Sequence, residues 1–214
     1  MTHTHSVDNQ GDSTIPRYRI CVSGAAQTEQ CGQGSFEIAM ALGREIAAHN
    51  AILIDGATTG FPFWAARGAK DAGGMAIGVS PAATDHEHAN VYKLPFDFHD
   101  LIVYTGFGYA GRNLLMTRSS DAVIIGCGRI GTFNEFTIAF EDDKPIGVLE
   151  GPWATDDIIK EIIAKAHRGN GKLVFSSDPK ELVEKIISLI KEESDECDEA
   201  CSDEQGAGDA HHKG

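Results

Sequence analysis

No apolar run in this chain approaches the roughly 20 residues that a bilayer-spanning helix needs. The polar stretch 1–14 also lacks the hydrophobic core of a signal peptide. A cytoplasmic protein with no membrane partner is expected. Basic residues are scarce too, with 18 Lys and Arg against 32 Asp and Glu for a formal net charge of −14. Without a basic stripe there is no electrostatic footprint for a nucleic-acid backbone, so no nucleic acid is expected among the partners. Much of the negative charge is local, because residues 192–214 hold nine Asp and Glu against one Lys, or −8. The cysteines Cys21, Cys31, Cys127, Cys197 and Cys201 form an odd, scattered set in a chain too large to need staples, and reduced thiols are expected. No composition shift marks a second core. One domain over 15–191 is expected, with a disordered N-terminus at 1–14 and an acidic disordered tail at 192–214.

What the chain does hold is a repeated unit of buried strand, small-residue turn and helix. Short apolar runs at 18–23, 51–54, 75–79, 101–104, 122–125, 146–149 and 173–175 read as strands, several of them followed by glycine. Between them lie helical spacings, such as Phe36, Ile38, Ala39, Leu42 and Ile46 after a candidate cap at Ser35. Further helices are expected through 64–69, 112–118, 132–141, 155–167 and 179–191. Residues 80–99 mix Pro, His, Asp and Asn without a period and read as a long surface loop near the site. Regular alternation of this kind implies right-handed crossovers, hence an α/β fold with a doubly wound, Rossmann-like parallel sheet and helices on both faces.

In such sheets ligands sit outside the carboxyl ends of the strands, where the glycine turns fall. The turn after the fifth strand, with Gly128, Gly131 and Thr132, precedes a helix start and can aim free amides at an anion. Gly56, Thr58, Thr59 and Gly60 form a comparable turn after the second strand. Arg112 follows a glycine-rich stretch at another helix start and has the guanidinium geometry for clamping phosphate. Glu135 lies one turn into the helix that begins near Thr132. Each residue also has an ordinary role open to it: turn glycines, a solvated arginine, a local ion pair. A small phosphorylated ligand is the expected partner. Cys127 and Cys21 read as buried small hydrophobes. Cys197, Cys201, His211 and His212 match no standard metal spacing, and no metal site is assigned.

Taken together, Asp55-Gly56-Ala57-Thr58-Thr59-Gly60, Tyr109-Ala110-Gly111-Arg112-Asn113, Ser120-Asp121-Ala122 and Gly131-Thr132-x-x-Glu135 resemble the LOG-like superfamily over about residues 17–190. That group includes cytokinin-activating phosphoribohydrolases, molybdenum cofactor carrier proteins and the fold of DNA-processing protein A. The resemblance implies a homodimer. For the enzyme branch it implies cleavage of the N-glycosidic bond of a nucleoside 5′-monophosphate, with Arg112 and Glu135 as catalytic residues and with neither metal nor redox cofactor. For the carrier branch it implies sequestration of a phosphorylated pterin such as molybdenum cofactor. The enzyme signature Pro-Gly-Gly is Cys127-Gly128-Arg129 here. If that position needs positive φ, Arg129 costs strain; otherwise it exchanges a backbone donor for a guanidinium that can meet phosphate.

Overall fold

The computed structural model describes residues 18–169 and 171–208, with side chains described as far as Glu193. Among these residues the chain alternates strand and helix: β1 (Arg19–Ser23), α1 (Ser35–Ala48), β2 (Ile52–Asp55), α2 (Phe61–Asp71), β3 (Met75–Ser80), α3 (Asp85–Asn90), β4 (Leu101–Tyr104), α4 (Gly108–Arg118), β5 (Ala122–Ile125), α5 (Ile130–Glu141), β6 (Ile146–Leu149), α6 (Thr155–Ala166), β7 (Leu173–Ser176) and α7 (Pro179–Gly208). All strand pairs are parallel, in the order β4-β3-β2-β1-β5-β6-β7. This is the expected doubly wound α/β sheet. The strand order reverses between β1 and β5, and a crevice opens there because the connections on either side leave in opposite directions.

The sheet is buried on both faces, so β5 and β6 are apolar at every position. Ile124 of β5 packs into one core with Ile20, Leu42, Phe61 and Ile186, while its neighbours Val123 and Ile125 face the other core with Met116, Phe136 and Ile159. Helices α1 and α2 approach unusually closely. A Cβ on Gly43 would lie 1.9 Å from the Ala65 carbonyl oxygen, and one on Gly68 would lie 2.1 Å from that of Met40. No helix among the described residues is long and apolar enough to cross a membrane.

Four local features differ from the sequence reading. First, the N-cap of α1 is Gly34 in a left-handed conformation, and Ser35 is instead a buried first residue of the helix. Second, residues 80–99 contain α3, whose N-cap Thr84 accepts the Glu87 amide while Glu87 Oε2 accepts the Ala83 amide. That reciprocal arrangement is legible as Thr84-x-x-Glu87. Third, α7 continues past Lys191, where its apolar spacing stops; no Pro or Gly interrupts residues 180–205. The outer parts of both termini, 1–14 and 209–214, lie outside the described residues.

The fourth difference concerns thiols. Cys31 and Cys127 form a disulfide with Cα atoms 5.6 Å apart, correcting the expectation of reduced cysteines for this pair. Their separation of 96 residues conceals the pairing in the sequence. They meet because the loop after β1 folds across the end of β5, where the Ala25 amide donates to the Cys127 carbonyl at 2.7 Å. Cys21 is a buried free thiol, as expected of a core hydrophobe, and burial pushes its pKa well up.

Candidate functional site

A cavity of about 550 Å³ opens at the reversal point between β1 and β5. It is walled by the loop after β1, the loop after β2, the first turns of α4 and α5, and the segment that follows α3. Of the residues singled out from sequence, Gly56, Thr58, Thr59, Arg112, Arg129, Gly131, Thr132 and Glu135 all line it.

Gly60 and Gly128 do not line it, and both serve the walls. A Cβ on Gly60 would stand 2.1 Å from the Ala25 carbonyl oxygen, so its φ of +76° lets the second turn lie against the first. The Gly128 amide donates to Thr155 Oγ1 at 2.8 Å, and a Cβ there would overlap the Thr132 side chain. Gly128 therefore makes room for Thr132 and spends its own donor within the fold.

The helix-start amides without helical acceptors lie one residue further along. In α5 the first helical bond runs from the Phe133 amide to the Arg129 carbonyl at 3.1 Å. The amides of Ile130, Gly131 and Thr132 precede it and have no intrahelical acceptor. The Arg129 amide meets Thr132 Oγ1 at 3.4 Å. Arg129 itself has φ −131°, an extended conformation, so arginine in this position carries no left-handed strain. Its guanidinium crosses the rim and donates to Gln27 Oε1 of the first loop.

Facing this turn is Arg112 of α4, buried at 6% exposure. Its guanidinium lies on the backbone of the second loop, where a Cβ on Gly56 would stand 1.5 Å from Nη1. Its partners are poor for a buried cation: Met116 Sδ at 3.7 Å, Glu135 Oε1 at 4.0 Å, and none for the buried Nε. Arg118, by contrast, is exposed and pairs with Asp142 at 2.9 Å away from the cavity.

Glu135 is held on two sides. Ser23 Oγ, at the end of β1, donates to Oε2. The Asn113 amide, oriented by its neighbours, donates to Oε1 and to the Tyr109 carbonyl, both at 2.9 Å. Burial raises the carboxyl pKa, and nearby Asp55 adds to this; Arg112 and the Ser23 hydroxyl oppose it without cancelling it. Asp55 lies behind the second loop. Its Oδ1 accepts the Ala57 amide at 2.7 Å and His99 Nε2 at 2.9 Å, with both side chains fully buried. Burial pulls the His99 pKa down, but Asp55 outweighs it and the pKa is raised.

Sequence reading did not assign Ser23, Gln27, Asn113, Tyr92 or Asp55 to the site. A serine ending a central strand and an aspartate opening a glycine turn carry some signal of their own. Tyr92 and Gln27 carry none, because their roles depend on loops converging from distant parts of the chain.

A buried arginine and helix-start amides without helical partners line one cavity at the switch point of a doubly wound, Rossmann-like sheet, the place where such folds hold ligands. The chain belongs to the SLOG cluster4 family, whose profile matches residues 17–183. Membership bears out the resemblance to the LOG-like superfamily. The chain is 34% identical over 134 residues to an uncharacterised protein of Archaeoglobus fulgidus, covering 63% of this chain and 81% of that one. Among solved structures it resembles the molybdenum cofactor binding protein of Rippkaea orientalis at 29% identity, covering 83% of this chain and 96% of that one with a TM-score of 0.62. It likewise resembles the molybdenum cofactor carrier protein of Chlamydomonas reinhardtii at 25% identity, covering 82% and 99% with a TM-score of 0.64.

Proposed function

We propose that this protein binds a phosphorylated heterocycle in the cavity at the β1/β5 switch point and carries it without turnover. The phosphate sits against the free amides of Ile130, Gly131 and Thr132 and is clamped by Arg112, while Glu135 accepts from a polar group nearer the middle of the ligand. The observation that carries this reading is Arg112. A buried guanidinium with an unpartnered Nε, whose one carboxylate contact is Glu135 Oε1 at 4.0 Å, is costly unless an anion completes it. Likeness to proteins described as binding or carrying molybdenum cofactor supports a phosphorylated pterin as cargo.

A second reading, hydrolysis of the N-glycosidic bond of a nucleoside 5′-monophosphate, is favoured by one observation. The Glu135 carboxyl lines the cavity with its pKa raised by burial, which retains a proton for transfer to a departing base. The restraint of that carboxyl by Ser23 and Asn113, and the presence of a single carboxylate on the cavity wall among the described residues, speak for the carrier.

Calorimetric titration with nucleoside monophosphates and a monophosphorylated pterin tests both, with free base followed by chromatography. The carrier reading expects binding without base release, weakened about tenfold or more by Arg112→Lys, which loses the forked donor geometry. Base release abolished by Glu135→Gln establishes the hydrolase instead. Absence of binding by every phosphorylated ligand overturns the shared premise.

A further inference from the structure

Resting on the phosphate-site reading above, we infer that Tyr92 and Tyr109, on the wall of the same cavity, form the seat for the planar ring of the ligand. The two rings meet edge to face, with centroids 5.4 Å apart and planes at 83°, and both residues line the cavity. Neither belongs to a hydrophobic core, and Tyr109 is 53% exposed. A planar heterocycle entering this corner lies flat on one ring and meets the edge of the other, the two geometries that aromatic quadrupoles favour.

The corner is held in place by bonds from several directions. The Tyr92 amide donates to the Glu87 carbonyl at 3.0 Å, and the Leu94 amide donates to the His88 carbonyl at 3.1 Å. Between them Lys93 adopts a left-handed conformation at φ +57°, which the two flanking bonds impose on a side chain that disfavours it. The buried His88 ring then ties the segment to β3, with Nδ1 2.8 Å from Ser80 Oγ and Nε2 2.9 Å from the Pro95 carbonyl. On the other side, the Tyr109 carbonyl accepts the same Asn113 amide that holds Glu135, and the Arg112 guanidinium lies 5.9 Å from the Tyr109 ring centroid. The aromatic corner is thus continuous with the groups assigned to phosphate and to the middle of the ligand. A phosphate seat and a flat-ring seat in one cavity of about 550 Å³ describe a mononucleotide-sized or pterin-phosphate-sized molecule, and disfavour a simple sugar phosphate as the preferred ligand.

The test compares adenosine 5′-monophosphate and a monophosphorylated pterin with ribose 5-phosphate, which has the phosphate but no ring. Binding is measured by calorimetry on the full chain and on Tyr92→Leu, Tyr109→Leu and the two Tyr→Phe variants. The wild type should bind one of the ring-bearing ligands at least about tenfold tighter than ribose 5-phosphate, a typical stacking contribution. Each Leu variant should lose most of that advantage, each Phe variant should keep it, and ribose 5-phosphate affinity should not change in any of them. Unchanged ring preference in both Leu variants, or no ring preference in the wild type, overturns the stacking corner while leaving the phosphate site standing. Failure of all three ligands to bind wild-type protein overturns the phosphate site and the corner with it.

Discussion

Gly56 and Arg112 occupy one volume: a Cβ on the glycine would stand 1.5 Å from Nη1 of the arginine. The glycine of the second loop therefore lets the Arg112 guanidinium lie on the main chain. Gly56→Ala should displace Arg112, weaken binding of a phosphorylated ligand about tenfold or more, and cost about 1–3 kcal/mol by overpacking. Calorimetry and urea unfolding read the two effects, and wild-type affinity in the variant contradicts the placement of Arg112.

The buried Glu135 carboxyl gives a pH signature. Its native pKa is raised by burial, so its contribution to stability is present below the ordinary carboxylate range and is lost as pH rises through the higher native value. Glu135→Gln has no such titration. Its stability relative to the wild type should increase from pH 4 to pH 8 in ligand-free denaturant unfolding, and a difference constant with pH refutes the raised pKa.

Behind the second loop, Asp55 and His99 are fully buried and bonded at 2.9 Å. His99→Leu leaves the carboxylate without its partner and should cost about 3–5 kcal/mol. Burial alone would lower the His99 pKa, but Asp55 raises it on balance. The stabilisation from the pair should be complete below the ordinary histidine pKa and decline as pH rises through the raised native value. Measurement of wild type against His99→Leu across pH 5 to 9 should show the gap narrowing toward alkaline pH.

Reduction of Cys31–Cys127 removes a cross-link over 96 residues between the loop after β1 and the loop after β5. Unfolding should then become easier by about 2–4 kcal/mol, through the larger entropy of the open unfolded chain. Melting with and without a dithiol reductant, alongside Cys31→Ser, measures this. A Cys31→Ser melting curve that coincides with that of the oxidised wild type shows the bond to be without effect.

The strands and the glycine turns were legible in sequence because their signals are local. Four consecutive apolar residues at Ala122–Ile125 announce a strand buried on both faces, and that holds whatever lies beside it. The spacing of Arg112, Thr132 and Glu135 matched a family pattern, and the fold brings all three to one cavity. Gly60 and Gly128 were harder to place, since a glycine serving a ligand and one serving a neighbouring loop look alike in sequence. The helix within 80–99 was overlooked because six residues are too few to show a period, although its capping pair was written in Thr84 and Glu87.

By itself, then, the order of residues determined an alternating α/β chain, the glycine turns at its strand ends, and the family pattern at Arg112, Thr132 and Glu135. Only the tertiary structure decided which groups face one another. Ser23 reaches Glu135 across 112 residues, Cys31 finds Cys127, and Tyr92 meets Tyr109, because β1 lies beside β5 and the loops at their ends converge. Propensity and periodicity act over a few residues, whereas strand order is set by burying both faces of the sheet at once. The site inherits its geometry from that second, collective step.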